Sequence, residues 1–208
     1  MDEQRAYTVR RFAANDEIDW AELPKAEIGC YKWTDGEKPA AWAQLAYMEG
    51  YGFVCRMSCQ QNEPVVSYYD NGESVYEDDA MEFFVSFGEE GYLNLEANSV
   101  GAHLNGFGAC RADRRSIFDT LPDGFLTVPM PIDGGWSVSF YLPLPELQLF
   151  FPSLTEDVLA PGFEFYGNFY KICESPSEGL PHFGMWSEVG TDHPDFHRPE
   201  YFGKIVMG

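Results

Sequence analysis

The chain has 208 residues, 45% of them hydrophobic and 16% aromatic, which is material for a sizeable core and excludes a disordered chain. Acidic residues outnumber basic ones 34 to 13, giving a net charge of −21. That field repels phosphate backbones and anionic lipid over roughly a Debye length, about 8 Å at physiological salt, so neither nucleic acid nor a membrane is an expected partner. A neutral polar ligand, or a cation such as calcium, meets no such barrier.

The N-terminal stretch Met1–Arg11 (MDEQRAYTVRR) has no apolar segment after its charged start, and no 18-residue apolar run follows, so the expected location is cytoplasmic. Alternation and β-branched or aromatic enrichment then predict strands in chain order. Tyr7–Phe12 and Glu27–Trp33 are weaker segments; Ala41–Met48, Gly52–Cys59, Ala80–Phe87, Tyr92–Asn98, Ala102–Phe107, Trp136–Leu142, Phe163–Ile172 and Phe202–Met207 are stronger. Gly, Asn, Asp and Pro punctuate them, as in Gly88-Glu-Glu-Gly and Asp133-Gly-Gly. Pro143–Phe151 and Ser153–Leu159 read as short helical pieces, too short for a βαβ crossover. The expected fold is therefore all-β, an antiparallel β-sandwich or jelly roll with short helical turns. Residues 1–208 read as one domain, because no repeat or long linker divides them and the tracts 175–179 and 181–199 read as surface loops. The sequence sets no oligomeric state.

The five cysteines, at 30, 55, 59, 110 and 173, are odd in number and form no C-x-x-C pair. They read as reduced thiols, with Cys55 and Cys59 on one face of a strand. His193, Asp195, His197 and Glu200 would interest a transition metal, but Pro194 and Pro199 prevent the helix that would align the two histidines, so packing is the better reading. No nucleophile elbow, phosphate loop or zinc-protease motif occurs, and no enzyme reaction is indicated.

Two segments carry binding chemistry. In Tyr76-Glu-Asp-Asp-Ala-Met-Glu82-Phe-Phe-Val, alternation puts Ala80, Glu82 and Phe84 on one side and Met81, Phe83 and Val85 on the other. A carboxylate such as Glu82 on a concave face can accept hydrogen bonds from vicinal sugar hydroxyls, whereas on a convex face it is solvated or ion-paired. Trp186 sits among Gly, Ser and Glu, where an indole can stack on the apolar face of a pyranose ring or simply pack.

In order along the chain, Ala41–Cys59, the Tyr76–Phe84 element with its aromatic-x-x-Asp-x-x-Glu spacing, Tyr92–Gly101, the Trp186-Ser loop and the closing Phe202-Gly-Lys-Ile-Val strand resemble carbohydrate-binding module family 9-like proteins. The family's β-sandwich is related to the DOMON-like fold. The resemblance implies a non-catalytic domain that stacks a mono- or oligosaccharide between two rings in polysaccharide or oligosaccharide utilisation. Carried over, Tyr76 and Trp186 form the clamp and Glu82 accepts from hydroxyls; Tyr76 stands where the family typically has Trp and offers a smaller face. Asn98, His103, Asn168 and Lys171 are secondary candidates, each polar beside a strand end. Family 9 modules can hold structural calcium, for which the loops Glu77-Asp-Asp and Asp192-His-Pro-Asp supply oxygens.

The runner-up is a protein-interaction domain on the same fold with a decayed sugar site, in which Trp186 is buried or displaced from Tyr76. A glycosidase with two carboxylates, or a haem protein using Met57, Met81, His103 or Met185 as axial ligand, ranks below it.

Overall fold

The computed structural model describes residues 5–208; residues 1–4, the start of the charged N-terminal stretch, lie outside it. Fourteen strands form among the described residues: β1 (Ala6–Phe12), β2 (Ala26–Ile28), β3 (Cys30–Tyr31), β4 (Ala40–Met48), β5 (Gly52–Gln60), β6 (Ala80–Ser86) and β7 (Tyr92–Asn98), followed by β8 (His103–Gly108), β9 (Arg115–Ser116), β10 (Thr127–Ile132), β11 (Gly135–Pro143), β12 (Glu164–Cys173), β13 (His182–Met185) and β14 (Gly203–Met207). One four-residue helix, α1 (Leu144–Leu147), follows β11.

The hydrogen-bonded order is β10-β11-β5-β4-β1-β14-β12-β6-β7-β8-β9, with β2 beside β4 and β3 joined to β12 through β13. This path curls into two layers at β1. Ala6–Val9 pairs with β14 in one layer, and Arg10–Phe12 pairs with β4 in the other. Both pairings are parallel, whereas the sequence predicts an antiparallel sandwich; the remaining pairings are antiparallel, so the sheet is mixed. A parallel neighbour needs a long connection, and residues 13–39 supply one between β1 and β4.

The ten predicted strands form within one to two residues of their expected ends, except that Glu27–Trp33 breaks into β2 and β3. Three strands escape the sequence reading. β10 contains Pro129 and Pro131, which argue against a central strand; it lies at the edge, paired to β11 alone, where a missing N–H is tolerated. β13 lies in the tract expected to be a surface loop and pairs with β12, and β9 is only two residues long. Of the two expected helical pieces, the first holds α1 and the second is a single hydrogen-bonded turn, with Val158 and Leu159 both donating to the Thr155 carbonyl.

Alternation sets the packing. Met81, Phe83 and Val85 of β6, Leu93, Leu95 and Ala97 of β7, and Phe165 and Phe169 of β12 meet Leu45, Tyr47, Phe53, Cys55, Met57 and Phe140 of the opposing layer in the main core. Burying one Phe contributes roughly 1.5–3 kcal/mol, so this interface supplies most of the drive to fold. The other face of β6, β7 and β12 is covered as well. Ala80, Phe84, Tyr92, Tyr170 and Ile172 pack under Phe183, Met185, Val189, Phe196 and Phe202 in a second cluster. Cys55 and Cys59 share the core face as the spacing requires, and all five cysteines are free thiols.

Candidate binding cleft

β6 and β7 pair with Glu82 directly opposite Glu96. On their outer face the hydrophobic pattern gives way to acid: Ala80-Glu82-Phe84 on one strand, Tyr92-Asn94-Glu96 on the other. Both carboxylates are only 3% exposed. Glu96 Oε1 accepts a short hydrogen bond from Asn94 Nδ2 and lies 3.3 Å from Arg114 Nη1, which also donates to Asn94 Oδ1 at 2.9 Å. Glu96 Oε2 is buried with no hydrogen-bond partner. Glu82 makes no hydrogen bond or ion pair among the described residues, and its carboxylate lines a cleft of about 110 Å3.

Three rings line that cleft, Tyr76, Phe183 and Phe196, together with Arg111, Arg114, Glu174, Pro194, Asp195 and His197. Phe196 is stacked on Tyr170 with centroids 4.0 Å apart, and Trp33 buttresses both Phe183 and Phe196 at 5.7 Å. Tyr76, half-buried in the middle of the 3-10 turn Val75–Glu77, is the ring with most surface free. Phe183 and Phe196 are each only 6% exposed.

The electrostatics follow from burial. Desolvation raises Glu82 well above the usual carboxylate range, and the facing Glu96 raises it further. Burial likewise pushes Glu96 up to about 7, opposed by the Arg114 guanidinium. His197 is held down to about 3 by burial and then by Arg114 and Arg111, so it is neutral. Its Nε2 lies 3.2 Å from Arg114 Nη1, which can only donate, so Nε2 accepts and Nδ1–H donates to Tyr92 Oη at 2.8 Å. Arg111 pairs loosely with Asp195 at 3.9 Å.

Of the residues singled out from the sequence, Tyr76 and Glu82 meet in this cleft. Trp186 does not. Its indole is 3% exposed in the main core, 5.5 Å from the Phe169 ring and packed so closely on Gly203 that a Cβ there would lie 2.3 Å from Cζ3. Alternation explains the correction: Met185 faces the second cluster, so the next residue turns to the opposite side of the sheet. The expected clamp of Tyr76 and Trp186 is therefore absent.

The four secondary candidates also stand outside the cleft and brace its surroundings. Asn98 Nδ2 donates to the Tyr68 carbonyl at 2.8 Å and to Asp78 Oδ2 at 2.9 Å, tying down the loop before β6. Asn168 exchanges two hydrogen bonds with the Ser187 backbone, fixing the chain beyond Trp186. His103 turns to the interior, Nδ1 3.2 Å from the Gly101 carbonyl and Nε2 unpartnered. Lys171 is fully buried, its Nζ ion-paired with Asp79 and 2.8 Å from His182 Nε2.

The expected calcium loops do not fit an ion. Asp78 accepts from the Ser67 and Tyr68 backbone and from Asn98; Asp79 accepts from Val65, Gln61 and Lys171; Glu77 accepts from Tyr68 Oη. The 192–195 loop offers Asp195, already engaged by the His197 backbone N–H and Arg111. Most of these oxygens serve donors of the chain itself, and among the described residues no group of three or more His, Cys, Asp or Glu side chains is placed to hold a metal ion.

The sequence reading misses Glu96, Arg111, Arg114 and Glu174, and it notices Asp195 and His197 only as a metal-like cluster better explained by packing, whereas both line this cleft. Glu96 carries a signal: pairing Ala80–Phe87 with Tyr92–Asn98 across their short turn sets it opposite Glu82. The arginines lie in the loop after β8 and carry no local pattern; the 194–197 segment crosses from the far end of the chain, so its place in the cleft follows from tertiary packing.

The model of a family described as Carbohydrate-binding family 9 matches residues 13–126 and 133–207. No curated protein sequence matches. Among solved structures, a candidate carbohydrate-binding protein from Bacteroides uniformis ATCC 8492 is 22% identical with a TM-score of 0.82, the match covering 99% of this chain and 100% of that one. A family 9 carbohydrate-binding module from Caldicellulosiruptor kristjanssonii in complex with glucose is 14% identical with a TM-score of 0.70, covering 98% and 96%. A further family 9 structure from that organism, in complex with cellotriose, has a TM-score of 0.64 at 14% identity, covering 98% and 93%.

Proposed function

The chain belongs to carbohydrate-binding family 9, and from that premise we propose that the cleft over β6 and β7 holds a sugar ring, in the service of polysaccharide or oligosaccharide utilisation. Tyr76 is the stacking surface, and Glu82, Glu96 and Arg114 engage hydroxyls. The observation that carries this reading is the pair of buried carboxylates with acceptor capacity left over, Glu82 and Glu96 Oε2, in a cleft walled by aromatic rings. An unmade hydrogen bond at a buried polar atom costs roughly 1–3 kcal/mol, which an incoming hydroxyl donor returns. A pyranose combines an apolar C–H face with a polar rim, which is the complement of this lining. The glucose and cellotriose complexes of the Caldicellulosiruptor modules support a gluco-configured ligand. The role is binding, with no bond cleavage assigned to either carboxylate.

The test is titration calorimetry with glucose, xylose, and cello- and xylo-oligosaccharides. Saturable binding that weakens at least roughly tenfold in Tyr76→Ala, about 1.4 kcal/mol, supports the reading. The absence of binding across the panel would overturn it. Burial of Trp186 favours a second reading, an interaction domain whose sugar clamp has been lost. The unpartnered Glu82 weighs against that reading, because a closed, disused site gains nothing by keeping an unpaired acid buried.

A further inference from the structure

This inference deepens the sugar-binding reading and rests on it. Four carboxyl groups line the cleft, Glu82, Glu96, Glu174 and Asp195, against two guanidinium groups, Arg111 and Arg114. The pairs account for only half of the acids. Arg111 faces Asp195, Arg114 faces Glu96, and His197 is neutral because its Nε2 accepts from Arg114. Glu82, buried on β6, and Glu174, exposed at the rim, have no cationic partner within ion-pair distance among the described residues. The cleft is thus a pocket with two acids in excess, and its floor holds two facing carboxylates whose free oxygens are Glu82 Oε1, Glu82 Oε2 and Glu96 Oε2.

A neutral sugar supplies hydroxyl donors to these oxygens but no charge, so the two acids still repel unless one keeps a proton. An ammonium group supplies three N–H donors and a positive charge at one point, which is what two facing carboxylates lack. The nearby ring of Tyr76 adds a face on which a cationic sugar gains further attraction. We propose that the cleft selects an amino sugar, a hexose bearing a free ammonium group or an oligomer of such units, with the nitrogen seated between Glu82 and the free oxygen of Glu96. Burial makes the empty pair retain a proton, so seating the ammonium expels that proton to solvent.

The probes are glucosamine, glucose and N-acetylglucosamine, titrated calorimetrically into the whole chain at pH 6 and low salt. Glucosamine is expected to bind at least tenfold more tightly than glucose, and acetylation of the nitrogen, which removes its charge, is expected to abolish the advantage. The binding enthalpy is expected to change with the ionisation enthalpy of the buffer, reporting proton release. Glu82→Gln is expected to bring the glucosamine-to-glucose ratio close to one; should that variant not fold, Glu96→Gln reads the same loss. Glucose binding equal to or tighter than glucosamine overturns the inference and leaves the sugar-binding reading standing, as does an advantage that survives in the Gln variant. No binding of any of the three, nor of gluco-oligosaccharides, overturns both.

Discussion

Replacing Glu96 by Gln keeps the side-chain shape and the oxygen that accepts from Asn94 and Arg114, and it removes one charge from a position 3% exposed. Burial moves this carboxyl from an ordinary 4.5 up to about 7. Between those values the folded chain holds a proton that the unfolded chain has released. The stability contributed by the group is therefore complete below pH 4.5 and is lost as the pH rises through 7. At about 1.4 kcal/mol per pH unit, the loss is about 3 kcal/mol. For a chain of this size, with about 2–4 °C in Tm per kcal/mol, that corresponds to roughly 6–12 °C. Urea unfolding of wild type and Glu96→Gln at pH 5 and pH 8 reads it as a difference. The variant is expected to gain about 3 kcal/mol relative to wild type on going from pH 5 to pH 8. His182 and His197, both held low by burial, act in the opposite sense, losing stability as the pH falls below 6.5. They are common to the two proteins and largely cancel, whereas Glu82, whose carboxyl is raised by burial and then by the facing Glu96, is relieved of that repulsion in the variant and shifts the difference in the same direction. A variant-minus-wild-type difference that is the same at both pH values refutes the argument.

Other perturbations test the surrounding structure. Gly203→Ala drives a methyl into the Trp186 ring and is expected to cost about 1–3 kcal/mol by overpacking, measured by urea unfolding, without changing the cleft. Lys171→Met removes the cation from a fully buried pair and strands Asp79, an expected loss of about 3–5 kcal/mol; recovery in Lys171→Met with Asp79→Asn would assign that loss to the stranded charge. Native thiol titration is expected to report the exposed Cys110 promptly and the half-buried Cys30 slowly, with Cys55, Cys59 and Cys173 appearing only in denaturant because burial raises each of those thiols.

The period-2 pattern of apolar residues makes most of the sandwich legible in the sequence. It locates β6 and β7 closely enough to predict which side of the strand Glu82 occupies. It fails where chain context outweighs local pattern. The prolines of β10 are acceptable only because that strand is an edge, and the parallel partners of β1 come from distant parts of the chain. Trp186 shows the limit most clearly: glycine and serine neighbours give it the look of a loop ring, but one residue of alternation past Met185 turns it into the core. Lys171 has the local signature of a polar strand-end residue, and its burial depends on Asp79, ninety-two positions earlier. Tyr76 and Glu82 are legible as site residues, and Asp195 and His197 are noticed in the sequence but read as packing; the placement of residues 194–197 beside Arg111 and Arg114 arrives through tertiary packing.

The most direct measurement is a crystal structure of this chain soaked with glucose or cellotriose. The account predicts an ordered ring against Tyr76, with hydroxyls within about 2.6–3.2 Å of Glu82, Glu96 Oε2 or Arg114, and the Trp186 indole still in the core. A sugar ordered elsewhere on the molecule while this cleft stays empty, or a Trp186 that swings out to stack on it, would contradict the account.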